Sequence, residues 1–188
     1  MATKIATKPK RVKSTGCEKC DLLPWNVGAK RRCICEGVNI DIGCGPHRQA
    51  GFIGTDRRAI PGVDLVFDLE EYPWPLPSDC ADQVLCSHVV EHVNPKFQFD
   101  FMNEIWRVIK EGGQLLLVTP HASSFGWQQD PTHIACWNEC TPVYYCPEHP
   151  SNLWHIYKSK PWRLMRMNFS PYHNIECTFV PLKSRKLL

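Results

Sequence analysis

The chain has 188 residues, 43% of them hydrophobic and 22% charged, with a formal net charge of +3. That length accommodates one full α/β core with small appendages, and the composition is that of an ordinary globular protein. No apolar run is long enough to cross a membrane and no apolar segment follows the basic N-terminus, which excludes a spanning helix and predicts a cytoplasmic protein without an export signal.

Lys4, Lys8, Lys10, Arg11 and Lys13 all precede the first acidic residue, Glu18. Residues 1–15 lack periodicity and read as a disordered basic tail, either a solvated terminus or a contact for the phosphates of a nucleic acid. Residues 16–37 form a cysteine-containing segment. Its Cys17, Cys20, Cys33 and Cys35 fall in two close pairs, a candidate structural zinc set that would hold a core-poor segment in shape. The alternative is reduced thiols. Several of the eleven cysteines, Cys44, Cys80, Cys86 and Cys177 among them, fall in or beside predicted strands, so most are read as reduced. His133, Cys136, Cys140 and Cys146 are a second, weaker metal cluster.

From residue 38 to 188 the pattern is that of one larger domain. Val38–Ile42 alternates and stops at Gly43; Phe52–Asp56 and Leu65–Leu69 are further short apolar runs, and Gln83–Ser87 is a fourth. Phe97, Phe101, Ile105, Val108 and Ile109 recur at helical spacing after Pro95, predicting an amphipathic helix. The turn pair Gly112-Gly113 leads into a fifth strand, Gln114–Pro120. Residues 120–150, rich in aromatics, His and Pro, are placed as a substrate lid with one helix around Trp137–Tyr145. Trp162–Phe169 and Ile175–Val180, split by Ser170–Asn174, predict a terminal antiparallel hairpin. The expected fold is α/β, a Rossmann-like and mostly parallel sheet with that hairpin at its end, its ligands at the carboxyl ends of the strands.

Three acids fall at those ends. Asp41-Ile42-Gly43-Cys44-Gly45-Pro46 follows the first strand, with glycines that let the backbone turn and approach a ligand. Asp56 closes the second strand, where a carboxylate accepts hydrogen bonds from both hydroxyls of a ribose. Asp68 ends the third. A dehydrogenase needs a third glycine opening a helix after the loop, which is missing, and no phosphate-binding Gly-Lys-Ser/Thr loop is present.

These motifs, with Gly54-Thr55-Asp56, Phe67-Asp68-Leu69-Glu70, Ser87-His88-Val89-Val90-Glu91-His92-Val93 and Phe101 to Gly113, resemble the class I S-adenosylmethionine (SAM)-dependent methyltransferases over residues 38–120. The resemblance implies that Asp41, Gly43, Cys44 and Gly45 hold the methionine end of SAM and that Asp56, with Arg57 beside it, binds the ribose. It implies further that Asp68 and the Leu69 backbone read the adenine and that Ser87 and His88 line the far side. Only Pro46–Gly51 separates the glycine loop from the second strand. The family's usual first helix is therefore expected to be a loop, as in a small-molecule or phage-like subgroup, with loop amides or Arg48 in place of the helix terminus.

Methyl transfer needs alignment and exclusion of water, and a base only for some acceptors. The Asp130-Pro131-Thr132-His133 segment resembles one in the same subgroup and makes His133 the first candidate base; His121, just past the fifth strand, is the second. Trp127, Trp137, Tyr144 and Tyr145 are candidates for an aromatic wall round an acceptor, or for core. The Asp/Asn-Pro-Pro-aromatic motif of amino-directed DNA methyltransferases and the Pro-Cys nucleophile of cytosine C5 chemistry are absent after the fourth strand. A small-molecule acceptor is the expected partner; a nucleic-acid acceptor and a non-catalytic binding module are the alternatives.

Overall fold

The computed structural model describes residues 37–184. The basic tail and the candidate zinc residues Cys17, Cys20, Cys33 and Cys35 lie outside the described residues.

The strands are β1 (Val38–Ile42), β2 (Ile53–Asp56), β3 (Leu65–Val66), β4 (Ala81–Ser87), β5 (Ile109–Pro120), β6 (Trp162–Phe169) and β7 (Asn174–Pro181). They form one seven-stranded sheet in the order β3-β2-β1-β4-β5-β7-β6. The first five run parallel, whereas β7 pairs antiparallel with both β5 and β6. This is the expected Rossmann-like α/β sheet closed by an antiparallel hairpin. The order reverses at β1, because β2 and β3 lie to one side and β4 and β5 to the other, so a crevice opens outside the carboxyl ends of β1 and β4.

The crossover before β5 is helix α1 (Gln98–Val108), which buries Phe101, Met102, Ile105 and Val108. Each such side chain contributes roughly 1.5–3 kcal/mol on burial. Their spacing puts all four on one face, and the sheet answers with fully buried Ile40, Ile42, Leu115 and Leu117. Glu104 on the same helix is also buried; its carboxylate accepts from the Trp74 backbone N–H at 2.7 Å and pairs with Arg107 at 2.6 Å. The loop before β4 is thereby fastened over the core.

Three elements differ from expectation. β5 starts at Ile109 rather than Gln114, since Ala81 pairs with Ile109 and Gln83 with Gln114, and the intervening residues bulge out of register. Gly112, at φ +79°, makes the bulge that the sequence reads as a turn. β3 keeps only two residues, because the chain turns away before Asp68. The segment expected to be a lid contains the short helix α2 (Phe125–Gln128) and, in place of a helix around Trp137–Tyr145, only a 3-10 segment, Thr141–Tyr145; the short helix α3 (Trp154–Tyr157) follows it. Among the described residues no helix is long and apolar enough to cross a membrane.

Candidate active site

The loop after β1 makes its turn through Gly43 (φ +64°) and Gly45 (φ +56°). A Cβ on Gly43 would stand 2.5 Å from Val89 Cγ2, so that position excludes every side chain. Between Pro46 and Gly51 there is no helix, as expected. The loop is held instead by the two acids that flank it. Asp41 accepts from the Gln49 N–H at 2.7 Å, and Asp56 accepts from the Gly45 N–H at 3.1 Å. Both carboxylates are buried. Burial pushes the Asp41 carboxyl up, against the Gln49 N–H and the Arg48 charge. Burial acts the same way on Asp56, but Arg58 and the Gly45 N–H outweigh it and hold that carboxyl below its ordinary value. Arg48 is engaged with Asp64 rather than turned toward the loop.

A cavity of about 560 Å³ opens beside this loop, well within the range of small-molecule sites. Of the residues expected to hold SAM, Gly43, Asp56, Arg57, Asp68, Leu69 and His88 line it. Asp41, Cys44, Gly45 and Ser87 do not face it, and the first three act through the loop. Cys44 donates its N–H to the Thr55 carbonyl at 2.9 Å, and burial with the charges of Asp41, Asp56 and Asp64 pushes its thiol up to about 11.

A second cavity, of about 600 Å³, adjoins the first and shares His88 and His92 with it. Its wall comes from the lid and the β6–β7 turn: Phe125, Asp130, His133, Tyr172 and His173. For Trp137 and Tyr145 the core alternative holds. Trp137 and Tyr145 are buried and stacked on one another in the core, and the Trp127 indole N–H donates to the Ala135 carbonyl.

His88 sits at the junction in the left-handed region, φ +55°, a conformation that costs a non-glycine residue energy and clusters at functional sites. Its backbone N–H is fixed to the Val118 carbonyl, and its Nδ1 lies 3.3 Å from Glu91 Oε1. The Glu91 carboxylate raises the His88 pKa, outweighing the opposing effect of burial. Sequence reasoning passed over Glu91 itself. It is wholly buried, its Oε2 accepts from the Thr119 hydroxyl at 3.0 Å, and its backbone carbonyl accepts from the N–H groups of Ile134 and Ala135. The lid segment carrying His133 is thus bolted to the end of β4.

Of the two candidate bases, His133 lines the second cavity, whereas His121 lines neither. His121 Nδ1 accepts from the Ser123 N–H, and its Nε2 faces Glu139 Oε2 at 3.1 Å.

Comparison with known proteins fits this geometry. Residues 48–117 match the family model described as a methyltransferase domain. The fold is that of the class I SAM-dependent methyltransferases. A SAM-dependent methyltransferase from Archaeoglobus fulgidus superposes with a TM-score of 0.54 at 17% identity, over 77% of this chain and 86% of that one. The 1,6-didemethyltoxoflavin-N1-methyltransferase of Burkholderia thailandensis, solved with S-adenosylhomocysteine and its acceptor, gives 0.56 at 13% identity, over 78% and 71%. A Haloferax volcanii methyltransferase solved in complex with its Trm112 activator gives 0.57 at 12% identity, over 89% and 88%. No curated protein sequence matches the chain. The methyltransferase-domain match begins beyond the Asp41–Gly45 loop, so the loop's likeness to the fold rests on its position after β1 and its two left-handed glycines.

Proposed function

We propose that the protein transfers a methyl group from SAM to a small-molecule acceptor. The observation that carries this reading is the pairing of two cavities across one wall: acids from the β2 and β3 ends face the first, and a lid with His133 faces the second, with His88 and His92 common to both.

The residues of the first cavity fit the cofactor. Asp56 at the β2 end stands where a carboxylate meets ribose hydroxyls once the Arg58 guanidinium gives way, Asp68 and the Leu69 backbone stand where an adenine edge is read, and the cradle at Gly43 admits backbone approach. When bound, SAM supplies an electrophilic methyl on a sulfonium, which leaves as a neutral thioether. The chain's own contribution is alignment: the loop stapled by Asp41 and Asp56 fixes the cofactor end, and the wall of His88 and His92 marks where donor and acceptor meet. His133 is the proton acceptor in this reading. Its Nδ1 lies 2.9 Å from the Trp127 carbonyl, so Nδ1 carries the proton and the Nε2 lone pair is free. The exposed rings of Phe125 and Tyr172 at the second cavity favour an acceptor with a flat apolar part. The acceptor named for the Burkholderia neighbour is a small molecule, which supports the same class.

The test is an acceptor screen that follows S-adenosylhomocysteine release from SAM, with small hydroxyl- and amine-bearing heterocycles as acceptors. Turnover that is lost in Asp56→Ala supports the proposal. Cofactor binding without turnover on any acceptor would leave a binding module in its place.

A further inference from the structure

We infer that Glu91, His92 and His133 form a divalent-cation site at the wall between the two cavities, and that the cation takes the oxygen of a hydroxyl-bearing acceptor as a further ligand. The second half rests on the methyltransferase reading; the cation site does not.

One ligand atom from each of these three residues lies within 4.8 Å of the other two, and among the described residues this is the one such group of His, Cys, Asp and Glu. Cys136, Cys140 and Cys146 have no part in it. His133 Nε2 stands 4.0 Å from Glu91 Oε1. Ligands at about 2.0–2.2 Å from a metal place donor atoms roughly 3–4 Å apart, so small side-chain rotations close the site.

The second observation is the carboxylate itself. Glu91 is wholly buried, and its Oε1 has no hydrogen-bond partner. His88 Nδ1 approaches to 3.3 Å as a charge contact without the alignment of a hydrogen bond. A buried carboxylate oxygen without a donor is costly, and a cation relieves that cost directly.

The third observation is what Nδ1 of each imidazole faces. His133 Nδ1–H donates to the Trp127 carbonyl. His92 Nδ1 faces the Thr132 carbonyl at 3.3 Å and the Thr132 hydroxyl at 3.1 Å, and that hydroxyl donates its own proton to Asp130 at 2.7 Å. With acceptors only at Nδ1, His92 also carries its proton there. Both rings therefore present Nε2 lone pairs, each backed by a carbonyl, which is the outer arrangement that orients metal-binding histidines. Two imidazoles and one carboxylate suit zinc, iron, cobalt, nickel or manganese rather than calcium. Three protein ligands leave a position open, and His92 lines both cavities, so the open position faces the place where donor and acceptor meet. A hydroxyl oxygen bound there loses its proton to solvent more readily. Its lone pair then forms the bond to the methyl carbon as the carbon–sulfur bond breaks with its electron pair on sulfur. In the loaded site His133 holds the cation in place of the proton.

The test is a titration of the full chain, stripped with chelator, with Co²⁺ followed in the visible spectrum. Cobalt held by nitrogen and oxygen lacks the thiolate charge-transfer bands that cysteine ligands give, which separates this site from any cysteine site. Co²⁺ should bind with a nitrogen–oxygen spectrum and weaken about tenfold or more in His133→Ala, Glu91→Gln and the exposed His92→Ala, circular dichroism confirming that each folds. Absence of a nitrogen–oxygen cobalt spectrum, or equal binding in all three variants, would overturn the site. Calorimetry with S-adenosylhomocysteine on the same samples keeps the two claims apart, since either ligand can bind when the other does not.

Discussion

Arg58 clasps Asp56 at the rim of the first cavity: Nε lies 3.0 Å from Oδ1 and a terminal guanidinium nitrogen 3.3 Å from Oδ2, while the Arg58 N–H also donates to Oδ1 at 2.9 Å. With the Gly45 N–H added, the acceptor capacity of the carboxylate is taken up. Ribose hydroxyls can reach Asp56 only by displacing the guanidinium. Arg58→Ala is therefore predicted to leave S-adenosylhomocysteine affinity unchanged or several-fold tighter in calorimetry. A tenfold loss would mean that Arg58 is itself a cofactor contact.

The same pair predicts an acid response. Because the folded-state pKa of Asp56 is depressed, its contribution to stability is present above the ordinary carboxylate range and is lost as pH falls through the folded value. Without the Arg58 guanidinium only the backbone N–H groups at positions 45 and 58 remain to oppose burial, and the carboxyl titrates higher than in the native chain. The acid-unfolding midpoint of Arg58→Ala, followed by circular dichroism, should lie at higher pH than that of the native chain. An unchanged midpoint would remove the ion pair from the account.

At Gly43 a side chain meets two obstacles, the left-handed backbone and Val89 at 2.5 Å. Gly43→Ala is expected to cost about 1–3 kcal/mol of stability in urea unfolding and to abolish cofactor binding. Retained binding at native affinity would show that the loop does not face the cofactor.

How far the sequence reveals this molecule depends on whether a signal is local. β1, β6 and the face of α1 follow from periodicity, and the acids at the β1 and β2 ends follow from where those strands stop. The early start of β5 was hidden because a glycine bulge and a glycine turn have the same local sequence; only the pairing of Ile109 with Ala81 separates them. Trp137 and Tyr145 are open in the sequence to either a ligand wall or the core, and only their long-range packing decides for the core. Glu91 stood in the Ser87–Val93 motif, but its isolation from water depends on Thr119 and the lid, 28 residues and more away. His121 faces Glu139 rather than either cavity, a pairing no spacing rule anticipates.

Thiol chemistry offers a check on the packing. Cys80, Cys146 and Cys177 are buried, and burial pushes their thiols up to about 11, 11 and 12. Cys136 and Cys140 are exposed. Alkylation of the native protein near neutral pH, mapped by peptide mass spectrometry, should modify Cys136 and Cys140 well before Cys80, Cys146 and Cys177. Equal rates would contradict the described core.

The central claim is that the cavity bounded by Gly43, Asp56 and Asp68 is a SAM site, and it is tested most directly by titrating S-adenosylhomocysteine into the full chain and into Asp56→Ala in a calorimeter. Two charge-assisted hydrogen bonds, each contributing about 1.5–3 kcal/mol, make the loss in the variant a hundredfold or more. Saturable binding to the native chain that collapses in Asp56→Ala is the predicted result; no heat with the native chain, or equal affinity in the variant, would contradict the account.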